Sequence, residues 1–158
     1  MNKEISRYIT EFKTVYNGEP WYGRSLAAIL GDVDPAAVFT KPNPGTHSIF
    51  EIVHHMYAWR DLLVKRLQGD TKSKISMNSP EDWSPAPNAS PEEAWKELIQ
   101  KLDQNQQALV PALAQWKDEA LYLPFAGTEY PLRTFLDGHF QHDIYHIGQV
   151  ALAMKSFK

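Results

Sequence analysis

The sequence predicts an all-α fold: a four-helix bundle with an additional short N-terminal helix. Apolar residues recur every three or four positions through four long segments, capping signals begin two of these segments, and no convincing set of strands is present. The chain has 158 residues, a length that suits one compact core. We therefore expect a single domain over residues 1–158.

Turn-forming residues separate the N-terminal segments. The first helix is predicted over residues 3–17, and it ends around Asn17-Gly18. Pro20 suits the first turn of a second helical segment, PWYGRSLAAIL, which stops at Gly31. The stretch DPAAVFTKPNPGTH contains three prolines and is predicted to be a loop with a helical turn at 35–39.

The remaining helices have clear start signals. Ser48-Ile49-Phe50-Glu51 matches a capping box, and the helix that follows is predicted to end at Gly69. Ser90 with Pro91 opens the next helix, which is predicted to run to about Trp116, and Pro131 opens the last one. Residues 70–89 form a long polar connection, and loops of that length in small domains are more often functional than idle.

Composition excludes several function classes. The chain has no cysteine, which rules out disulfides, thiolate metal sites and cysteine nucleophiles. The net charge is −3 and no basic block is present, so we expect no nucleic-acid partner. No apolar run is long enough to cross a bilayer, and MNKEISRYITEF lacks the apolar core of a signal peptide, so we expect a cytoplasmic protein without a membrane partner.

The segment GHFQHDIYHIGQ places three histidines on one stripe of the last predicted helix. His142 and His146 lie four residues apart and project from nearly the same face, a spacing that allows two imidazoles to bind one metal ion. His139 lies on the same stripe, but it is about 10 Å from His146 along the helix axis. The residues therefore leave two candidate pairs, His139 with His142 or His142 with His146.

A second helix carries the doublet His54-His55 inside the apolar segment EIVHHMYAW. Adjacent helical residues point about 100° apart, so at most one of the two can face the same interior point as the pair on the last helix. Histidines on two facing helices suit a metal site in a bundle core. Three imidazoles and an open position are the ligand set of catalytic zinc sites.

The segments SIFEIVHHMYAWRDLL and QHDIYHIGQVALAM, in this order and at this separation, resemble the DinB-like family of DNA-damage-inducible metalloproteins. The resemblance extends over nearly the whole chain. It implies a four-helix bundle that holds a divalent metal, zinc or nickel, by three histidines. Placed on this sequence, the family pattern implies His55 rather than His54 as the ligand from the earlier helix, and His142 with His146 from the last.

The resemblance is less informative about the reaction, since it covers thiol-dependent S-transferases, a mycothiol-dependent isomerase and members without an assigned activity. The three-histidine site itself predicts a metal-dependent enzyme that acts on a small molecule, because an ion with an open position can activate either a water molecule, as in a hydrolase, or an external low-molecular-weight thiol, as in a thiol S-transferase. The alternative is a non-catalytic, metal-stabilised stress-response or binding bundle. A homodimer is compatible with the many aromatic residues.

Other residues are weaker candidates for a role at the site. Glu51 and His139 are candidate acid–base groups, although the capping box also explains Glu51. Gln149 follows His146 by three residues and shares its face, which permits a supporting or pocket-lining role. Asp143 is expected to be solvated. Trp83 is expected either to close the 70–89 loop over the site or to anchor that loop to the bundle.

Overall fold

The computed structural model describes residues 2–157, and these form five α-helices. They are α1 (Lys3–Asn17), α2 (Leu26–Leu30), α3 (Ile49–Leu67), α4 (Pro91–Ala114) and α5 (Leu132–Lys155). Short 3₁₀ helices occur at Pro35–Ala37 and Asp118–Tyr122, and no strand is present in this part of the chain. The predicted all-α bundle is confirmed.

The four long helices, α1, α3, α4 and α5, form the bundle. Both α1 and α3 pack against α4 and α5, which places α1 diagonally opposite α3. Because α1 is itself a bundle helix, the additional short helix is α2, which lies in the N-terminal part of the chain between α1 and α3. Gly23 has a φ of 129°, a conformation outside the helical range, so the helix begins only at Leu26 and not near Pro20.

The predicted capping signals operate as expected at α3 and α4. The Ser48 hydroxyl accepts a hydrogen bond from the Glu51 amide, and the Glu51 carboxylate accepts one from the Ser48 amide, which completes the capping box. Gly69, with a φ of 94°, follows the end of α3. Ser90 caps α4 with Pro91 at its first position, and α4 continues through Pro111 to Ala114.

The stretch before α5 contains a short extended pair. Residues 124 and 131 form an isolated antiparallel bridge, and the Phe125 amide donates to the Tyr130 carbonyl. The stretch is therefore a loop that contains one short extended pair. Its fold places Tyr130 beside the first turns of α5.

The buried apolar residues form two clusters along the bundle, and a polar network containing Arg60 and Asp143 lies between them. Both residues are 1% exposed, and the Arg60 guanidinium donates to Asp143 and to Gln106. The guanidinium also lies over the ring of Phe12 in one cluster and that of Tyr16 in the other. The expectation that Asp143 is solvated is wrong, because its carboxylate is paired inside the bundle.

Candidate metal centre

Three histidines from two facing helices converge on one point of the structure. His55 lies on α3, and His142 and His146 lie one turn apart on α5. One ring nitrogen from each of the three can be chosen so that all lie within 4.8 Å of one another. We call His55, His142 and His146 the three-histidine cluster. Among residues 2–157 no fourth histidine or acid joins this group.

The nitrogens of the cluster face one another in a way that suits a shared ion. Nε2 of His55 lies 2.9 Å from Nε2 of His142. Two nitrogens bound to one tetrahedral zinc ion at about 2.0–2.1 Å are about 3.3 Å apart, so the observed separation is close to the spacing that the ion requires. The residues therefore fit a divalent metal.

A carboxylate fixes the orientation of His55. Nδ1 of His55 lies 2.7 Å from Oδ1 of Asp82, which leaves Nε2 as the nitrogen that faces the cluster. Asp82 is 2% exposed, and it also accepts hydrogen bonds from Trp59 Nε1 and from the amide of Asn78, each at 2.8 Å. Burial opposes the charge of Asp82, but these hydrogen bonds outweigh it and lower the pKa of the carboxyl.

Gln149 has the same relation to His146 that Asp82 has to His55. Nδ1 of His146 donates to Oε1 of Gln149 at 2.6 Å, and Nε2 of Gln149 donates to the Tyr145 hydroxyl. Nε2 of His146 is thereby left available for a ligand. Nδ1 of His142, by contrast, is buried without a hydrogen-bond partner among residues 2–157. Such an atom costs folding free energy, so stability alone does not account for the way these imidazoles are packed.

The cluster is electrically neutral at physiological pH. Burial lowers the pKa of His142 to about 3, with further contributions from the neighbouring His146 and His55. Burial likewise lowers the pKa of His146 to about 4. For His55, burial lowers the pKa more than the contact with Asp82 raises it. Neutral imidazoles have a free lone pair, which is the form that binds metal.

The 70–89 loop forms one side of the site. Trp83 stacks on the His55 ring with a centroid distance of 4.0 Å and an interplanar angle of 8°, and it stacks on His47 at 3.7 Å. The loop also supplies Asp82 and Asn78. Trp83 thus anchors the loop to the bundle beside the cluster, which was one of the two expectations for this residue.

The other candidate residues have separate environments. His54 contacts Phe50 and Tyr57 and lies outside the three-histidine cluster. Glu51 is engaged by its capping box and by Lys41 at 3.1 Å, and it does not line the cavity at the cluster. His139 lines that cavity, but its two ring nitrogens lie 2.8 and 3.0 Å from backbone carbonyl oxygens of Phe135 and Trp59.

The cluster opens into a cavity of about 580 Å³. This volume is within the usual range for small-molecule sites. The walls come from α3, from the 70–89 loop, from the loop before α5 and from α5 itself. We call this space the site cavity.

Sequence reasoning missed two buried charged residues, Asp82 at the site and Arg60 in the polar network between the two apolar clusters. Asp82 was not identified, and its only sequence signal is an acid beside Trp83 in a loop whose length already indicated function. Arg60 was also missed, although it lies four residues after Met56 and three before Leu63, on the apolar face of α3. That position indicates a buried cation, which requires a partner.

Comparison with known families agrees with the geometry. A family model described as the DinB superfamily matches residues 23–150, and this range includes all three histidines of the cluster. No curated protein and no solved structure matches the chain. In the part of the chain described by the structure, no helix combines the length and the apolar character needed to cross a membrane.

Proposed function

The chain belongs to the DinB superfamily, and from this premise we propose that it binds a divalent metal, zinc or nickel, through His55, His142 and His146 and acts as a metal-dependent enzyme on a small molecule. The observation that carries the proposal is the convergence of three neutral imidazoles at the base of a cavity of ligand size. A divalent ion held there would supply Lewis-acid chemistry that activates a water molecule or an external thiol.

The chain's own groups prepare the site for this role. Asp82 and Gln149 accept hydrogen bonds from Nδ1 of His55 and of His146, so that the two Nε2 atoms are oriented before any ligand arrives. Stacking of Trp83 on His55 removes one face of that ring from water. These contacts come from two different elements, the 70–89 loop and α5.

The absence of a fourth protein ligand among residues 2–157 favours catalysis over a purely structural role. Structural zinc sites are closed by four protein ligands, whereas catalytic sites have three and keep one position for water or substrate. Here the fourth side is the site cavity. The alternative, a metal-stabilised binding bundle, has no comparable observation in its favour.

The test compares metal-loaded with metal-free protein on panels of esters, amides and alkylating electrophiles, with and without low-molecular-weight thiols. Turnover that requires both metal and thiol identifies a thiol S-transferase, and turnover that requires metal alone identifies a hydrolase. Stoichiometric metal without turnover on any panel member would favour the non-catalytic alternative. Failure to bind zinc or nickel would reject the proposal.

A further inference from the structure

We infer that the site cavity selects ligands whose part remote from the metal is apolar and uncharged, such as an aromatic or alkyl group. The inference adds a substrate class to the proposed function. It rests on that proposal only in assuming that another part of the ligand binds a metal at the three-histidine cluster. It is drawn from the walls of the cavity, not from the histidines.

The walls of the site cavity offer no free charge to a ligand. Of the described residues that line it, none is a lysine or an arginine, and Asp82 is the one acid. Both oxygens of Asp82 are already hydrogen-bonded, to His55, Trp59 and the Asn78 amide. A carboxylate or ammonium group on a ligand would therefore lose water without gaining a partner of opposite charge.

Exposed apolar side chains surround the mouth of the same cavity. Met77 is 79% exposed, Tyr130 54% and Tyr145 63%, and they come from three separate segments of the chain. Isolated exposed apolar residues are common, but several around one concavity mark a surface that a ligand or partner covers. Phe135 and Trp59 continue the apolar wall inward towards the cluster.

Gly138 lines the site cavity, and a larger side chain at this position would occupy part of the cavity. It precedes His142 by four residues and therefore lies on the same stripe of α5 as His142 and His146. Apart from its chain neighbours and the adjacent backbone of α5, a Cβ atom at this position would meet no atom within 4 Å. Glycine inside a helix lowers folding stability by about 1 kcal/mol relative to alanine. Space for a ligand in the site cavity is a functional reason for glycine at this position.

The experiment uses two thiols with the same metal-binding head, phenylmethanethiol and 4-(sulfanylmethyl)benzoate, of which the second carries a carboxylate group at the far end of the ring. Calorimetry on zinc-loaded protein should give at least about tenfold weaker binding for the carboxylate. Equal or tighter binding of the carboxylate would overturn the inference. The same pair is measured on metal-free protein by ligand-observed NMR, where a preference for the neutral thiol supports the inference even if zinc binding, and with it the proposed function, fails.

Two variants locate the tail in the cavity. Gly138→Leu should weaken binding of phenylmethanethiol at least about tenfold while zinc stoichiometry is unchanged, because the new side chain occupies the apolar space. Gly148→Leu is the matched control on the same helix. A side chain added at position 148 also enters open space, but Gly148 does not line the site cavity. Undiminished binding to Gly138→Leu would overturn the inference.

Thr134→Lys provides a second measurement that does not depend on filling space. Thr134 is exposed and lines the site cavity, so the substitution adds a cation to its wall. The carboxylate thiol should then bind at least as tightly as the neutral one, whereas Gln141→Lys, exposed on α5 outside the cavity, should leave the preference unchanged. An unchanged preference in Thr134→Lys would also overturn the inference.

Discussion

Nδ1 of His55 lies 2.7 Å from Oδ1 of Asp82, which is 27 residues further along the chain. This contact joins the 70–89 loop to the three-histidine cluster, because Nδ1 of His55 contacts the Asp82 carboxylate while Nε2 of the same ring faces the cluster. Trp83, the next residue in the loop, stacks on the same imidazole. The loop is therefore part of the candidate metal centre.

Asp82→Asn should lower zinc affinity by about 10- to 100-fold, the usual effect of losing a carboxylate that supports a histidine ligand. Asparagine retains an oxygen that can accept from His55 and from Trp59, so we expect the fold to survive. Competition with a chromogenic chelator measures the affinity. Glu81→Gln, an exposed neighbour, is the control and should bind zinc as the original chain does. An affinity in Asp82→Asn within about twofold of the original would show that the carboxylate does not support the site.

His55→Ala and His142→Ala should each abolish stoichiometric metal binding, because each removes one of only three ligands. His54→Ala and His47→Ala should retain it, since neither ring belongs to the cluster. Elemental analysis of the purified variants decides the outcome. Metal retained at full stoichiometry in both His55→Ala and His142→Ala would reject the three-histidine site, and metal lost in His54→Ala alone would move the ligand to the other member of the doublet.

Features of this structure that depend on residues close together in the sequence could be predicted from it, and features that depend on distant residues could not. The starts of α3 and α4 depend on contacts between residues three apart, such as Ser48 with Glu51, and these are legible in the sequence. The spacing of His142 and His146 is equally local, although the residues alone left His139 with His142 as a second candidate pair. The doublet His54-His55 indicated a ligand on a second helix, but the choice between its two members depends on how two helices face each other, and only the family resemblance made that choice.

Asp82 and Asp143 show where such reasoning fails. The position of Asp82 is set by a loop held through Trp59 and Trp83, and loops have no periodicity from which an orientation can be read. For Asp143 the periodicity was present: it lies four residues before Ile147, on the buried face of α5. An acid is usually solvated, and that general expectation was wrong here because the cation that pairs with it lies on another helix.

Zinc affinity should depend weakly on pH between 7.5 and 6.0. Three histidines of ordinary pKa would compete with protons and lose about 50-fold in affinity over this range. Burial lowers the pKa of His142 to about 3 and of His146 to about 4, so these two stay neutral over this range. Burial also lowers the pKa of His55, so this ring should contribute less than the loss of about fourfold that one ordinary histidine would cause. Calorimetric titration at several pH values measures this. A loss near 50-fold by pH 6.0 would show that the imidazoles titrate normally.

The buried pair of Arg60 and Asp143 should make a large and non-additive contribution to stability. Arg60→Met leaves the Asp143 carboxylate buried without its cation and should cost about 3–5 kcal/mol of unfolding free energy. The double variant Arg60→Met with Asp143→Leu removes both charges and should be more stable than Arg60→Met alone, because no uncompensated charge remains. Urea denaturation of metal-free protein measures Arg60→Met, Asp143→Leu and the double variant. Arg7→Met is the control: its partner Glu11 is on the surface, so the cost should be below about 1 kcal/mol. A double variant as unstable as the sum of its single variants would show that the two side chains act independently.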